Sequence, residues 1–264
     1  MHVTDSFYLG ARHYPERLAF AGEGGDYSYD AARLLANRIA HAARAKGLGV
    51  GSRFAVLSPN CGPAMIIQIG CLRAGMAWCN LNLRNTLEGN VDILARGRVD
   101  ALFYHSSVSE QIPQFKAGVQ TLAHAVCLDA DDANGPSLAQ WCEGQPDGNP
   151  EWQVPADAFG LQGATGGTTG QPKLTQSDNH WLFMSNLGWA ACLHPKAPPV
   201  NLAVAPITHA GGMIAMAQWA MGGTSVMMAQ VDLEAILKTI QERRVTTMFL
   251  PPTVIYMLLA HPKL

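Results

Sequence analysis

The chain is short of charge. Asp, Glu, Lys and Arg make up 14% of its 264 residues, and the formal net charge is -2. Without a field of one sign, it offers no electrostatic footprint for nucleic acid or for an anionic membrane surface. Its six cysteines (Cys61, Cys71, Cys79, Cys127, Cys142 and Cys192) include no Cys-x-x-Cys pair. Neither a zinc site nor a disulfide framework is indicated, and the thiols read as small buried hydrophobes in a reducing compartment. Long apolar runs are missing too: the longest, Ala210 to Met221, is broken by Gln218 and is too short to span a bilayer. The opening Met1-His2-Val3-Thr4-Asp5 begins no run of signal-peptide length. Together these absences point to a cytoplasmic protein with no membrane span. Repeats and low-complexity tracts are also lacking, and an apolar share of 48% is enough to build a folded core.

What is present is an alternation of short apolar runs with helical patterns of ten to fifteen residues. Leu18 to Ala21 and Tyr27 to Tyr29 flank Glu23-Gly24-Gly25-Asp26 as a hairpin. Asp30 offers a cap to a helix reaching Lys46, with Gly47 as its stop. Strands are expected at Phe54 to Leu57, Ala77 to Leu81 and Ala101 to Tyr104. Asn60 is expected to cap a helix closed by Gly75, and Thr86 to cap one in which Leu87, Val91 and Leu94 share a face. Later, Asp178 caps a helix carrying Leu182, Phe183, Leu187 and Trp189. Strands follow at Asn201 to Ala205, Thr224 to Met228 and Thr246 to Leu250, with a helix over Leu233 to Arg243 and another begun by Pro251-Pro252. This order indicates βαβ units, and so an α/β fold of layered, mainly parallel sheets with flanking helices. The region 129–157, rich in Asp, Gly and Pro, has only the insert Leu138 to Trp141 to bury and reads as a solvated connection. The expected organisation is a first α/β region over 1–128, the connection over 129–157, and a second α/β region over 158–264.

One stretch is unlike the rest. Gly163-Ala164-Thr165-Gly166-Gly167-Thr168-Thr169-Gly170-Gln171-Pro172-Lys173 contains four glycines and three threonines and ends in a lysine. Glycine lets backbone N–H groups curl around an anion, threonine hydroxyls add donors, and Lys173 adds a point charge, so the stretch can cradle phosphate. A flexible turn between strands is the plainer alternative. The run Ala158 to Leu161 reads as a strand leading into it. No Gly-Lys-Ser/Thr follows and no long amphipathic helix starts at the lysine, which excludes the Walker P-loop. Downstream, Pro206-Ile207-Thr208-His209-Ala210-Gly211-Gly212 leaves a strand and enters an apolar helix. That puts His209 at the carboxyl edge of a sheet, where α/β proteins hold ligands. The alternative for His209 is a hydrogen-bonded packing residue, and for the two glycines close helix packing. Met213, Met216, Met221, Met227 and Met228 suit either an acyl pocket or a core.

The glycine-rich stretch resembles the phosphate-binding motif of the adenylate-forming (AMP-binding) superfamily, whose usual pattern is Tyr-Thr-Ser-Gly-Thr-Thr-Gly-x-Pro-Lys-Gly. Thr165, Gly167, Thr168, Thr169, Gly170, Pro172 and Lys173 match, and Ala164, Gly166 and Leu174 depart. Tyr29, Pro59-Asn60, Ala74-Gly75 and Leu81-Asn82-Leu83-Arg84 look like the opening of an acyl-CoA synthetase or aryl-CoA ligase. The Pro-x-x-His segment at His209 has its counterpart in the family as well. The resemblance implies an acyl-CoA synthetase-like N-terminal region using ATP, Mg2+ and coenzyme A on a small-molecule carboxylic acid, fatty or aryl. No nucleic acid is implied, and a homodimer is left open. It assigns Thr165, Gly166, Gly167, Thr168, Thr169, Gly170 and Lys173 to the ATP phosphates, and His209, Gly211 and Gly212 to the substrate and ATP pocket. The family's magnesium-binding Thr-Glu motif, ribose-binding Asp and terminal-domain lysine have no match here. The expectation is therefore an N-terminal portion with no complete catalytic set and no metal ligand. The alternative is a non-catalytic nucleotide-binding or interaction module derived from the same fold.

Overall fold

The computed structural model describes residues 1–164, 173–262 and 264. In chain order the first elements are α1 (Val3–His13), β1 (Leu18–Gly22), β2 (Tyr27–Ser28), α2 (Tyr29–Ala45), β3 (Arg53–Leu57), α3 (Gly62–Ala74) and β4 (Ala77–Cys79). They are followed by α4 (Leu87–Arg96), β5 (Ala101–Tyr104), α5 (Ile112–Gly118), β6 (His124–Cys127), α6 (Leu138–Trp141), β7 (Phe159–Ala164) and β8 (Leu174–Asp178). The rest are α7 (Asn179–Leu193), β9 (Val200–Ala203), α8 (Ala210–Met216), β10 (Thr224–Met227), α9 (Leu233–Arg243), β11 (Thr247–Met248) and α10 (Pro252–Leu259). The chain is α/β, as the alternation implies. It divides into two compact units: Met1–Asp5, Arg33–Ser58 and Pro63–Ser185 form the first, and Ser6–Ala32, Pro59–Gly62 and Asn186–Leu264 the second.

The first unit holds a sheet in the order β6-β5-β3-β4-β7-β8. Its ladders are parallel as far as β7 (Phe54 opposite Ala101, Trp78 opposite Leu161), whereas β7 and β8 are antiparallel. A parallel sheet covered on both faces needs strands apolar throughout. Accordingly Ala55, Val56 and Leu57 of β3 and all of β5 are buried. A core of Leu57, Leu81, Leu94, Leu102, Phe115 and their neighbours fills one face.

Caps fall where side chains reach orphan N–H groups. Thr86 Oγ1 accepts from Gly89 N–H at 3.1 Å, as expected. α2, however, is capped by Ser28, whose Oγ accepts from Ala31 N–H at 3.1 Å, rather than by Asp30. The 129–157 connection is pinned in two places. Ser137 and Gln140 close a capping box at the start of α6, and Trp141 is buried with its ring edge-on to Phe103. Farther on, Trp152 Nε1 donates to Arg73 O at 2.8 Å. Trp141 thus packs on Phe103 of β5, a residue outside the cluster of Leu57, Leu81, Leu94, Leu102 and Phe115.

The second unit's sheet runs β11-β9-β10-β1-β2. β11, β9, β10 and β1 are mutually parallel, and the β1–β2 hairpin is antiparallel. Leu202, Val204, Val226, Ile236, Val254 and Leu258 form a core beneath α9 and α10. Phe7 of α1, an element with no marked signal in the sequence, stacks with Tyr29 and meets Trp219 edge-on, with ring centroids 5.3 Å apart in each case. Met216 and Met227 are core residues here. Among the described residues no helix is long and apolar enough to cross a membrane. All six cysteines are free, five of them buried and Cys192 exposed.

The buried Tyr29 hydroxyl donates to Gly223 O at 2.7 Å and lies 3.2 Å from Trp219 O. Replacing it by Phe leaves these carbonyls short of a donor without altering ring packing. We expect Tyr29→Phe to lower stability by about 1 to 1.5 kcal/mol in urea unfolding. An unchanged midpoint would show that the bond contributes nothing net.

Candidate functional site

In the first unit, β7 enters the glycine-rich stretch and β8 leaves it. Pairing continues to the ends of both strands, Gly163 opposite Thr175 and Ala164 opposite Leu174. The Thr175 hydroxyl donates across the ladder to Gly163 O at 3.1 Å. Thr165, Gly166, Gly167, Thr168, Thr169 and Gly170, expected at the ATP phosphates, lie outside the described residues. Lys173 is described: it sits immediately before β8 and is exposed. The ladder also explains why no long helix starts at the lysine, since Leu174–Asp178 is strand.

The hairpin is anchored from behind. Asn179 N–H donates to Ala158 O at 3.0 Å, and Asp178 Oδ1 accepts from Trp181 N–H at 2.7 Å, which caps α7 as expected. A Cβ on Gly160 would come within 2.8 Å of Asn179 Oδ1, so β7 lies tight against the first turn of that helix. β8 carries no apolar alternation, because it is the outer strand of its sheet and its residues are exposed or half-buried.

In the second unit the segment leaving β9 carries His209. Its N–H donates to Pro206 O at 3.1 Å, and its carbonyl accepts from Gly212 N–H at 3.0 Å as α8 begins. The imidazole is half-buried, and burial lowers its pKa from the usual value, so the neutral ring prevails near neutrality. A neutral imidazole carries one donor and one acceptor nitrogen and can orient a polar ligand without adding charge. Gly211 and Gly212 are buried. A Cβ on Gly211 would come within 2.7 Å of Ala205 O, and one on Gly212 would collide with Ile207 O. Close packing of α8 on its own entry segment accounts for both glycines. The structure thus gathers His209, Gly211 and Gly212 into one turn, while Lys173 belongs to the other unit.

Sequence reasoning missed the role of Asn60. α3 begins at Gly62, and the Asn60 side chain does not cap it. Instead Nδ2 donates to Ala203 O at 2.9 Å and Ala205 O at 3.0 Å, while Oδ1 accepts from Ile207 N–H at 2.9 Å. The available signal was a Pro-Asn step directly after a buried strand, which equally suits a helix cap. Among the described residues no group of three or more His, Cys, Asp or Glu converges.

The family model for AMP-binding enzymes matches residues 7–264. A feruloyl-CoA synthase from Amycolatopsis sp is 28% identical over 258 residues, which cover 96% of this chain and 49% of that protein. The fatty acid–[acyl-carrier-protein] ligase ScoC of Streptomyces coeruleorubidus is 27% identical over 268 residues, covering 98% of this chain and 49% of its own. Among solved structures, the inhibitor-bound N-terminal domain of FACL13 from Mycobacterium tuberculosis aligns with a TM-score of 0.90 at 21% identity, over 99% of this chain and 66% of that one. The chain spans about half the length of the relatives it matches.

The packing makes two predictions. Gly212→Ala should cost about 1 to 3 kcal/mol in thermal unfolding, because the backbone it meets cannot turn aside as a side chain could; an unchanged melting temperature would refute the close approach. For His209, whose folded pKa is depressed, the favourable contribution is complete above the ordinary value of about 6.5 and is lost as pH falls below it. His209→Gln should therefore lose less stability than the parent chain between about pH 7.5 and about pH 5.5. The comparison is made between urea midpoints, since the buried His2 weakens the fold in the same direction in both chains. Parallel loss would rule out a depressed His209.

Proposed function

The chain belongs to the AMP-binding enzyme family, and we propose that it is the ATP-phosphate-holding portion of an acid–CoA ligase that activates a fatty or aryl acid. In that reaction a carboxylate oxygen bonds to the α-phosphorus of ATP as the bond to the bridging oxygen breaks, giving acyl-AMP and pyrophosphate. The coenzyme A thiol then attacks the acyl carbon, AMP departs, and a thioester results. The carboxylate is the nucleophile, so the protein's task is to bring two anions together and stabilise the charge.

The observation that carries this reading is the paired β7–β8 ladder, in which Ala164 opposite Leu174 brackets a Gly/Thr stretch with Lys173 exposed at its exit. Backbone N–H groups and hydroxyls of Thr165 to Gly170, together with the Lys173 ammonium, are the donors offered to the phosphate oxygens. Neutral His209 is the orienting group for the carboxylate and α-phosphate, and it exchanges no proton. Magnesium, when bound, would neutralise phosphate charge. Both acid classes are kept because the relatives matched along almost the whole chain include a feruloyl-CoA synthase and a fatty acid ligase.

The ribose, magnesium and lysine partners of the family have no match in these 264 residues, so the chain alone is expected to hold nucleotide without completing adenylation. ATP should slow amide exchange at residues 165–170, and Lys173→Met should raise the ATP needed by roughly tenfold or more, the weight of one charge-assisted bond. No protection at millimolar ATP would sink the loop assignment. Carboxylate-dependent ATP–pyrophosphate exchange by the 264-residue protein would sink the incompleteness.

A further inference from the structure

Between the end of β9 at Ala203 and the start of α8 at Ala210, the chain must cross its unit's interior without ladder partners of its own. Val204, Ala205, Ile207 and Thr208 are all buried, Ile207 completely. Peptide groups in such a place cannot turn to water and must find donors and acceptors within the protein. The Asn60 amide meets the need: it donates to Ala205 O and accepts from Ile207 N–H, and it is a second donor to Ala203 O, which also accepts from Met228 N–H at 3.2 Å at the end of the ladder with β10. A primary amide has the donor and acceptor chemistry of a peptide group, so this side chain stands in for a missing neighbouring strand.

The first turn of α8 packs on the same segment. The absent side chains of Gly211 and Gly212 leave space that Ala205 O and Ile207 O occupy. The backbone from 203 to 207 is therefore held both by the Asn60 amide and by close contact with the first turn of α8, and His209 lies two residues on. Asn60 is itself buried. It belongs to the second unit with Gly62, whose N–H donates to Glu23 O at 3.0 Å and so ties the chain two residues beyond Asn60 to the β1–β2 hairpin of the same unit.

We infer that Asn60 is a positioning residue for His209, holding the β9–α8 segment so that the imidazole is presented in one orientation. Its relevance to adenylation rests on the His209 role proposed above. No other side chain type of this size fits the arrangement. Aspartate keeps the acceptor for Ile207 but has no donor for two carbonyls, leucine has neither, and alanine also leaves a void.

The test uses the 264-residue protein and its Asn60→Asp and Asn60→Ala variants. Amide exchange is followed residue by residue, and the histidine ring signals are read by 15N NMR. Loss of buried bonds should speed exchange at Ile207 to Met213 by roughly ten- to a hundredfold and displace the His209 ring signals. The ring signals of His13 and His105, and exchange in β3 and β5, should stay as they are. If Asn60→Ala proves too unstable, Asn60→Asp, nearly isosteric, decides the matter.

Three results overturn the inference: unchanged exchange and ring signals, faster local exchange with the His209 ring unmoved, or uniform acceleration through β1 and β10 in the aspartate variant. ATP titration of the parent protein is read separately. A chain that ignores ATP but moves its His209 ring on substitution keeps the positioning role and loses only the nucleotide reading.

Discussion

Backbone pairing between β7 and β8 is the constraint on which the first unit's part of the candidate site depends. An antiparallel ladder aligns its two strands residue by residue, so pairing Ala164 with Leu174 brings both ends of the glycine-rich stretch together. Because β7 is also parallel to β4, through Trp78 opposite Leu161 and Cys79 opposite Gln162, the hairpin extends a sheet whose interior strands are buried. Its position is therefore set by the core of the first unit. Lys173 needs only to be the last residue before β8 to stand at the mouth of that stretch.

The second unit solves a different problem. A strand that ends at a sheet's carboxyl edge and turns into a helix has to leave its ladder while still inside the protein. Here the exit is carried by one amide side chain and by two glycines whose missing Cβ atoms admit carbonyl oxygens. His209 follows from that exit rather than from an interaction of its own with the helix, since its side chain makes no cap for α8. Burial lowers the ring's pKa and so favours its neutral form.

Much of the architecture was legible because local chemistry and fold agreed. Thr86 and Asp178 cap helices where a short polar side chain precedes a periodic apolar run. Gly47 and Gly75, both at positive φ, end α2 and α3. Disagreement arose where a residue serves something distant. Asn60 looked like a local cap and bonds residues more than 140 positions away. β8 lacks a strand's apolar alternation because its partner is on one side only. Trp141, in a stretch too polar to fold alone, is buried because the first unit supplies Phe103 and the Lys46 ammonium to cover it.

By itself, then, the sequence determined the α/β alternation, most caps and stops, the character of the Gly/Thr/Lys stretch and the family it belongs to. These depend on residue type and spacing over a dozen positions or fewer, the range in which backbone propensity and side-chain capping act. Only the tertiary structure decided what each carrier of the site leans on: the edge ladder under Lys173, the carbonyls against Gly211 and Gly212, and the Asn60 amide behind His209. Buried peptide groups accept any geometrically suitable partner, near or far in the chain, so their partners cannot be read from spacing.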